Sequence, residues 1–66
     1  MIKLYSNHCP KCDIIKEKLD EKNISYELID DVEWLTANGF DRMPVLEING
    51  QKITSMLQMS NIIRSL

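Results

Sequence analysis

The chain is poor in the residues that mark most specialised small proteins. Its 66 residues hold two cysteines, two prolines, two glycines, one tryptophan, one phenylalanine and one histidine. Two cysteines are too few for the disulfide framework of a small secreted domain. With no third thiol and no second histidine, a complete zinc site of four ligands within the chain is not expected. No run approaches the roughly 20 apolar residues of a membrane-spanning helix. A net charge of −2 with interspersed signs gives no basic footprint for nucleic acid. The first residues lack a basic-then-apolar signal pattern, so a cytoplasmic location is the default expectation. Linkers, repeats and low-complexity tracts are missing too, and the length leaves room for one domain, residues 1–66. A core this small is marginal unless well packed. The 44% hydrophobic content is enough for a compact globule.

What is present is Cys9-Pro10-Lys11-Cys12, between an apolar-alternating run and a charged helical stretch. This spacing suits either dithiol–disulfide chemistry or two ligands of a metal site, and the flanks favour the first. Ile2 to Tyr5 reads as a strand and Ser6 to His8 as a loop. Pro10 has its φ fixed near the helical value and lacks an amide hydrogen, so it fits the first helical position. Cys9 then stands at a helix start, where free amides and the positive end of the helix dipole favour an anion. A thiolate is such an anion, and a low pKa is expected at Cys9. Cys12, one turn on, is close enough to attack a disulfide formed at Cys9.

Along the chain, Pro10 to Lys22 reads as a helix with Cys12, Ile15 and Leu19 on one face, and Asn23 as its left-handed stop. Ile24 to Ile29 alternates around Tyr26 and Leu28 as a second strand that exposes Ser25 and Glu27. Asp30 or Asp31 caps a short helix over Val32 to about Asn38, with Trp34 and Leu35 facing inward, Asn38-Gly39 ending it and Phe40 under its closing turn. Met43-Pro44 opens a strand, Val45 to Ile48. Asn49-Gly50 is a type I′ hairpin signal, and Gln51 to Thr54 returns as an edge strand. Thr54 or Ser55 caps a last helix with Met56, Met59, Ile63 and Leu66 at helical spacing, widened by Leu57 and Ile62. The order β-α-β-α-β-β-α predicts an α/β fold. Its β-α-β unit requires a parallel pair and its hairpin an antiparallel one, giving a mixed four-stranded sheet flanked by helices.

Leu4-Tyr5-Ser6, the Cys9–Cys12 motif, Gly39-Phe40-Asp41-Arg42-Met43-Pro44-Val45 and the Asn49-Gly50 hairpin together resemble the thioredoxin-fold glutaredoxins over the whole chain. The segment from Gly39 to Val45 is also similar to the glutaredoxin-like electron donors of ribonucleotide reductase. The resemblance implies a thiol–disulfide oxidoreductase with Cys9 as nucleophile and Cys12 as resolving thiol. It also implies a cis proline at Pro44. Pro10, Lys11, Met43, Pro44, Thr54 and Ser55 would line the groove for substrate or glutathione, with the Met43 backbone pairing with an extended segment. No bound cofactor or metal is implied. Glutathione is the expected co-substrate, and disulfide-containing proteins and a glutathione or flavoprotein reductase supply of electrons are the expected partners of a monomer. Three departures leave the electron donor open. The loop Ser6-Asn7-His8 has no lysine and is one residue short. Thr54-Ser55-Met56-Leu57-Gln58 lacks the family's glycine pair and carboxylates, and a Trp-Ser-Gly-Phe-Arg stretch is missing.

Other residues carry two readings each. Lys11 either adds charge near a thiolate or is a solvated helix-start lysine. His8 either assists proton transfer beside Cys9 or is a plain loop residue. Arg42 either meets a glutathione carboxylate or lies free on the surface, and Tyr5 either lines the thiol site or does not. Thr54 and Ser55 either cap only or also donate to a carboxylate. Trp34 and Tyr26 read as core or rim, and Met56 and Met59 as core, not copper ligands. The rival readings are a CxxC copper carrier and a cluster-bridging iron–sulfur glutaredoxin. Copper carriers end in a strand, whereas this chain ends in a helical stripe.

Overall fold

A computed structural model describes residues 1–66. The elements are β1 (Ile2–Tyr5), α1 (Pro10–Glu21), β2 (Glu27–Ile29), α2 (Val32–Ala37), β3 (Val45–Ile48), β4 (Gln51–Ile53) and α3 (Met56–Ser65). The strands form one sheet in the order β2-β1-β3-β4. β1 runs parallel to β2 and antiparallel to β3, and β3 antiparallel to β4. The predicted mixed sheet and element order are what the chain adopts. No helix is long and apolar enough to cross a membrane.

Local chemistry sets most element ends. α1 closes with the Asn23 amide on the Asp20 carbonyl and the Ile24 amide on the Leu19 carbonyl, with Asn23 at φ +56°. That paired-bond stop needs a residue that tolerates the left-handed region, and asparagine is one. α2 repeats the device with Gly39 at φ +81°. The Gly39 amide bonds Thr36, and the Phe40 amide bonds Leu35 at 2.9 Å. Phe40 thus lies under the turn, as predicted, against Tyr5, Leu35 and Val45. Asp31 caps α2 through the Trp34 amide, and Ser55 caps α3 through the Gln58 amide. Asn49 and Gly50 both have positive φ, as a type I′ turn requires.

The sheet has two unequal faces. Leu4, Leu46 and Ile53 lie in one buried cluster with Ile15 and Leu19 of α1 and Met59 and Ile63 of α3. On the other face Tyr5 and Val45 meet Leu35 of α2.

Four expectations are corrected here. β2 starts at Glu27 instead of Ile24, because residues 22–24 are used in stopping α1 and pairing with β1 begins at Lys3↔Glu27. Trp34 does not face inward. It is 45% exposed, since a six-residue helix buries only Leu35 and leaves its neighbour at the rim. Leu57 and Leu66, at 71% and 55% exposed, lie off the buried stripe of α3, which is carried by Met59 and Ile63.

Candidate active site

Register places the marked residues at one end of the sheet. Tyr5 pairs with Val45 and Ile29, and Leu46 with Ile53. One residue further along each strand are Ser6, Asp30 and Pro44, with Ser55 two residues beyond Ile53. These positions share the end where the parallel pair β1 and β2 finish, and the loop from Ser6 leads directly into Cys9. In open α/β sheets this carboxyl end is where ligands meet the fold. The Met43–Pro44 peptide bond is cis. Pro44 is buried, and Met43 is half-buried against Tyr5, Leu35 and Val45.

The loop is held by successive short-range bonds. The Ser6 hydroxyl accepts the His8 amide at 3.0 Å, and the Asn7 side-chain oxygen accepts the Cys9 amide at 3.2 Å. Such overlapping turns suit serine and asparagine. Both are helped by His8 at φ +62°. The Ser6 amide is pinned to the Ile29 carbonyl at 2.9 Å. The His8 ring, read from sequence as a possible helper of Cys9, is engaged by Asp30 at 3.1 Å and so ties this loop to the one after β2.

Cys9 is the N-cap of α1. Its sulfur accepts the Cys12 amide at 3.3 Å and lies 2.7 Å from the Cys12 sulfur. Both cysteines are free; Cys9 is half-buried, whereas Cys12 is 1% exposed. The expected lowering of pKa does not fall on Cys9. Burial and the hydrogen bond shared with Cys12 hold the Cys9 thiol up, against the pull of the Cys12 and Lys11 amides. Burial pushes Cys12 up as well. There, hydrogen bonds from the Cys9 thiol, the Asn7 amide, the Ser6 hydroxyl and the Cys9 amide outweigh it and hold the thiol below its ordinary value. Two sulfurs at this distance share one proton and titrate as a pair, losing the first proton easily and the second with difficulty. The anion favoured by the helix start belongs to the pair.

The remaining residues divide. Pro10 and Lys11 are exposed in the first turn of α1. Thr54 and Ser55 are exposed, and Thr54 joins Arg42, Asp41, Phe40 and Lys52 around a surface cleft of about 200 Å³. Tyr5 turns to the α2 face and donates to Glu47 at 2.9 Å, so it does not line the thiols. Tyr26 sits at the rim and donates to Asp20 at 3.0 Å. No group of three or more His, Cys, Asp or Glu side chains is placed to hold a metal ion. Sequence reading gave Ser6 and Asn7 no role in holding the loop and named Asp30 only as an alternative helix cap. A serine and an asparagine ahead of a helix start were the available signal.

No protein-family model matches the chain, and no curated protein matches it either. Solved structures do. The monomeric glutathione S-transferase Na-GST-3 of the hookworm Necator americanus superposes with a TM-score of 0.76 at 23% identity, over 97% of this chain and 34% of its own length. A Nu-class glutathione S-transferase from Haemonchus contortus gives 0.70 at 22% identity, over 98% of this chain and 36% of its own. The chain thus spans about a third of these transferases. NrdH-redoxin from Escherichia coli, described as a glutaredoxin-like protein with a thioredoxin-like activity profile, gives 0.65 at 21% identity, with 92% of each chain covered. At these identities the likeness speaks to architecture, and the chain has the thioredoxin-like fold.

Proposed function

We propose that this chain is a small dithiol oxidoreductase of the glutaredoxin type, which reduces protein disulfides or glutathione mixed disulfides. The observation that carries the proposal is the pairing of an accessible sulfur with a buried one 2.7 Å away at the start of a helix. Cys9 is the nucleophile because only its sulfur can be approached by a substrate. Attack draws the shared proton to Cys12 and leaves the thiolate on Cys9. The substrate S–S bond breaks, one of its sulfurs departs with the electron pair and takes up a proton, and the other is bonded to Cys9. Cys12 then attacks the Cys9 sulfur, frees the second substrate thiol and closes the Cys9–Cys12 disulfide. Two electrons have passed to the substrate. Pro44 and the Met43 backbone shape the groove beside the thiols, with Pro10 and Lys11 on its helix side and Thr54 and Ser55 beyond.

Two molecules of glutathione, or one dithiol of a flavoprotein disulfide reductase, return the electrons. The reductase is favoured by the absence of glycine and carboxylate from Thr54 to Gln58, and by the likeness to NrdH-redoxin over nearly its whole length. The test is reduction of the oxidised protein, first with glutathione alone and then with thioredoxin reductase and NADPH. Rapid reduction by the second and slow reduction by the first is expected; reduction by neither rejects the oxidoreductase. Cys9→Ser abolishes turnover of every disulfide. Cys12→Ser loses protein-disulfide reduction but keeps attack on a glutathione mixed disulfide, and equal loss in both assays for both variants contradicts the division of roles.

A further inference from the structure

We propose that Asn7 is a positioning residue that sets the lifetime of the mixed disulfide: its side-chain oxygen holds the Cys12 proton once Cys9 is bonded to substrate, and so delays the resolving attack. The inference rests on the oxidoreductase reading and extends it to a residue outside the CxxC motif. The Asn7 side-chain oxygen lies 3.5 Å from the Cys12 sulfur and accepts its S–H. The same oxygen accepts the Cys9 amide at 3.2 Å. A carboxamide oxygen has two lone pairs and can take both hydrogens. The Cys9 amide also fixes which way the carboxamide faces, because the opposite orientation would set an NH2 group against an N–H. Asn7 therefore presents an acceptor, not a donor, to Cys12. An acceptor favours the thiol over the thiolate.

The bond matters most after the first attack. In the resting dithiol the Cys12 sulfur has the Cys9 sulfur, at 2.7 Å, as its nearer partner. In the mixed disulfide the Cys9 sulfur is bonded to the substrate, carries no charge and has no proton to share. Burial already favours the neutral form of Cys12, and the strongest opposing bond, from the Cys9 thiol, is then gone. No charged neighbour takes its place: the His8 ring is engaged by Asp30, and Lys11 and Asp13 are exposed on α1. The Cys12 S–H keeps the Asn7 oxygen as its acceptor, and resolution waits for that proton to pass to water. The Cys9–Cys12 bond then forms, the bond from Cys9 to the substrate sulfur breaks, and the electron pair leaves on that sulfur, which takes up a proton. While resolution waits, the mixed disulfide is open to a thiol from solution.

Dithiobis-nitrobenzoate, mixed one to one with the reduced protein, reads both steps in one trace. Its first thionitrobenzoate is released by Cys9 attack and its second by Cys12 resolution. Asn7→Ala is expected to lower the pH midpoint of the second phase by about half a unit, the low end for a hydrogen bond because a thiol is a weak donor. Below that midpoint the second phase quickens about twofold, since the larger thiolate fraction outweighs the lower nucleophilicity of a more acidic thiol. Asn7→Asp keeps an acceptor for both hydrogens and adds a negative charge, so its midpoint moves up. Damage to the loop alone would slow the second phase in both variants. A midpoint that does not fall in Asn7→Ala, or that falls in Asn7→Asp as well, overturns the proposal. Blocking Cys9 with iodoacetamide leaves a neutral sulfur without a proton, as the mixed disulfide does. Ultraviolet titration of Cys12 in that chain should show the same shifts, and equal curves with and without Asn7→Ala reject the bond. If Asn7→Ala does not fold, the Asn7 side-chain amide of the blocked native chain is followed by NMR. A signal that moves with Cys12 ionisation supports the bond, and one that does not respond overturns it. Failure of the oxidoreductase reading looks different: the native chain turns over no protein or glutathione disulfide, while the titration of the blocked chain still decides the role of Asn7.

Discussion

The two faces of the sheet are covered with very different amounts of material. On one, two helices of 12 and 10 residues bring Ile15, Leu19, Met59 and Ile63 down on Leu4, Leu46 and Ile53. On the other, six-residue α2 brings Leu35 alone to Tyr5 and Val45. The rest of that face is finished by other means. Trp34 and Phe40 stack around Tyr5, with centroids 6.3 and 4.5 Å from its ring, and Lys52 sits 5.1 Å over Phe40. Beyond them Glu27, Lys3, Glu47 and Lys52 alternate in sign across β2, β1, β3 and β4 in direct register. Opposite charges facing each other across strands are favourable, so this row can stay wet. A chain too short to bury both faces equally has concentrated its aliphatic residues on one. It closes the other with aromatic rings at the end nearer the thiols and with charges elsewhere.

The largest predicted effect tests that division. Leu46→Ala removes a fully buried side chain from the thick face and is expected to cost about 2–5 kcal/mol, depending on how far the cavity collapses. A core of this size supplies roughly 3–5 kcal/mol in all, so the variant should be largely unfolded by circular dichroism at room temperature. Leu35→Ala on the thin face deletes the same atoms but lies under a short helix that can settle. It should fall near the low end of that range and retain a urea transition. If Leu35→Ala proves the more damaging, the faces are not unequal in energy, whatever their coverage.

How much of this was legible beforehand follows the same line between local and long-range causes. Pro10, Asn23, Asp31, Gly39, Asn49-Gly50 and Ser55 act within a turn of themselves, and each ends or starts an element where sequence reading put it. Cys9-Pro10-Lys11-Cys12 and Met43-Pro44 could be marked for the same reason. Trp34 was misplaced because a large aromatic reads as core unless one knows how little of α2 is covered. The start of β2 was misplaced because a strand needs a partner, and the partner is fixed by the register of β1. The roles of Ser6 and Asp30 were invisible because each depends on a neighbour brought in by folding: Ile29 for Ser6, His8 for Asp30. The placement of the shared proton was hidden likewise, since sequence spacing does not say which sulfur is buried.

A smaller effect is predicted for the aromatic patch itself. Phe40→Ala loses stacking on Tyr5, the contact with Lys52 and the packing under the α2 stop, and should cost about 2 kcal/mol, less than a fully buried phenylalanine. Trp34→Ala, at a 45% exposed position, should cost about 1 kcal/mol. Urea midpoints rank the pair. The reverse order would mean that the indole, not the Phe40 ring, seals this face.

The smallest effect is a dependence on pH, and it separates the faces by titration. Burial, the hydrogen bond to Glu47 and the charges of Glu47 and Glu27 raise the Tyr5 pKa above 10.0. The folded phenol therefore binds its proton more tightly than the unfolded one. The stability this lends is fully present below pH 10 and is lost as pH climbs through the raised value. Tyr26, at the rim of the thick face, behaves in the same sense through burial and Asp20. Tyr5→Phe removes the hydroxyl bond to Glu47, at a cost of about 1 kcal/mol near neutral pH. It should also flatten the alkaline fall in stability, leaving the parts that belong to Tyr26 and to the raised Cys9 thiol, of which Tyr26→Phe removes the first. Urea midpoints measured from neutrality to above pH 10 resolve both contributions. An alkaline slope unchanged by Tyr5→Phe would mean that this hydroxyl ionises as freely in the folded chain as in the unfolded one, and that the thin face is open to water at Tyr5.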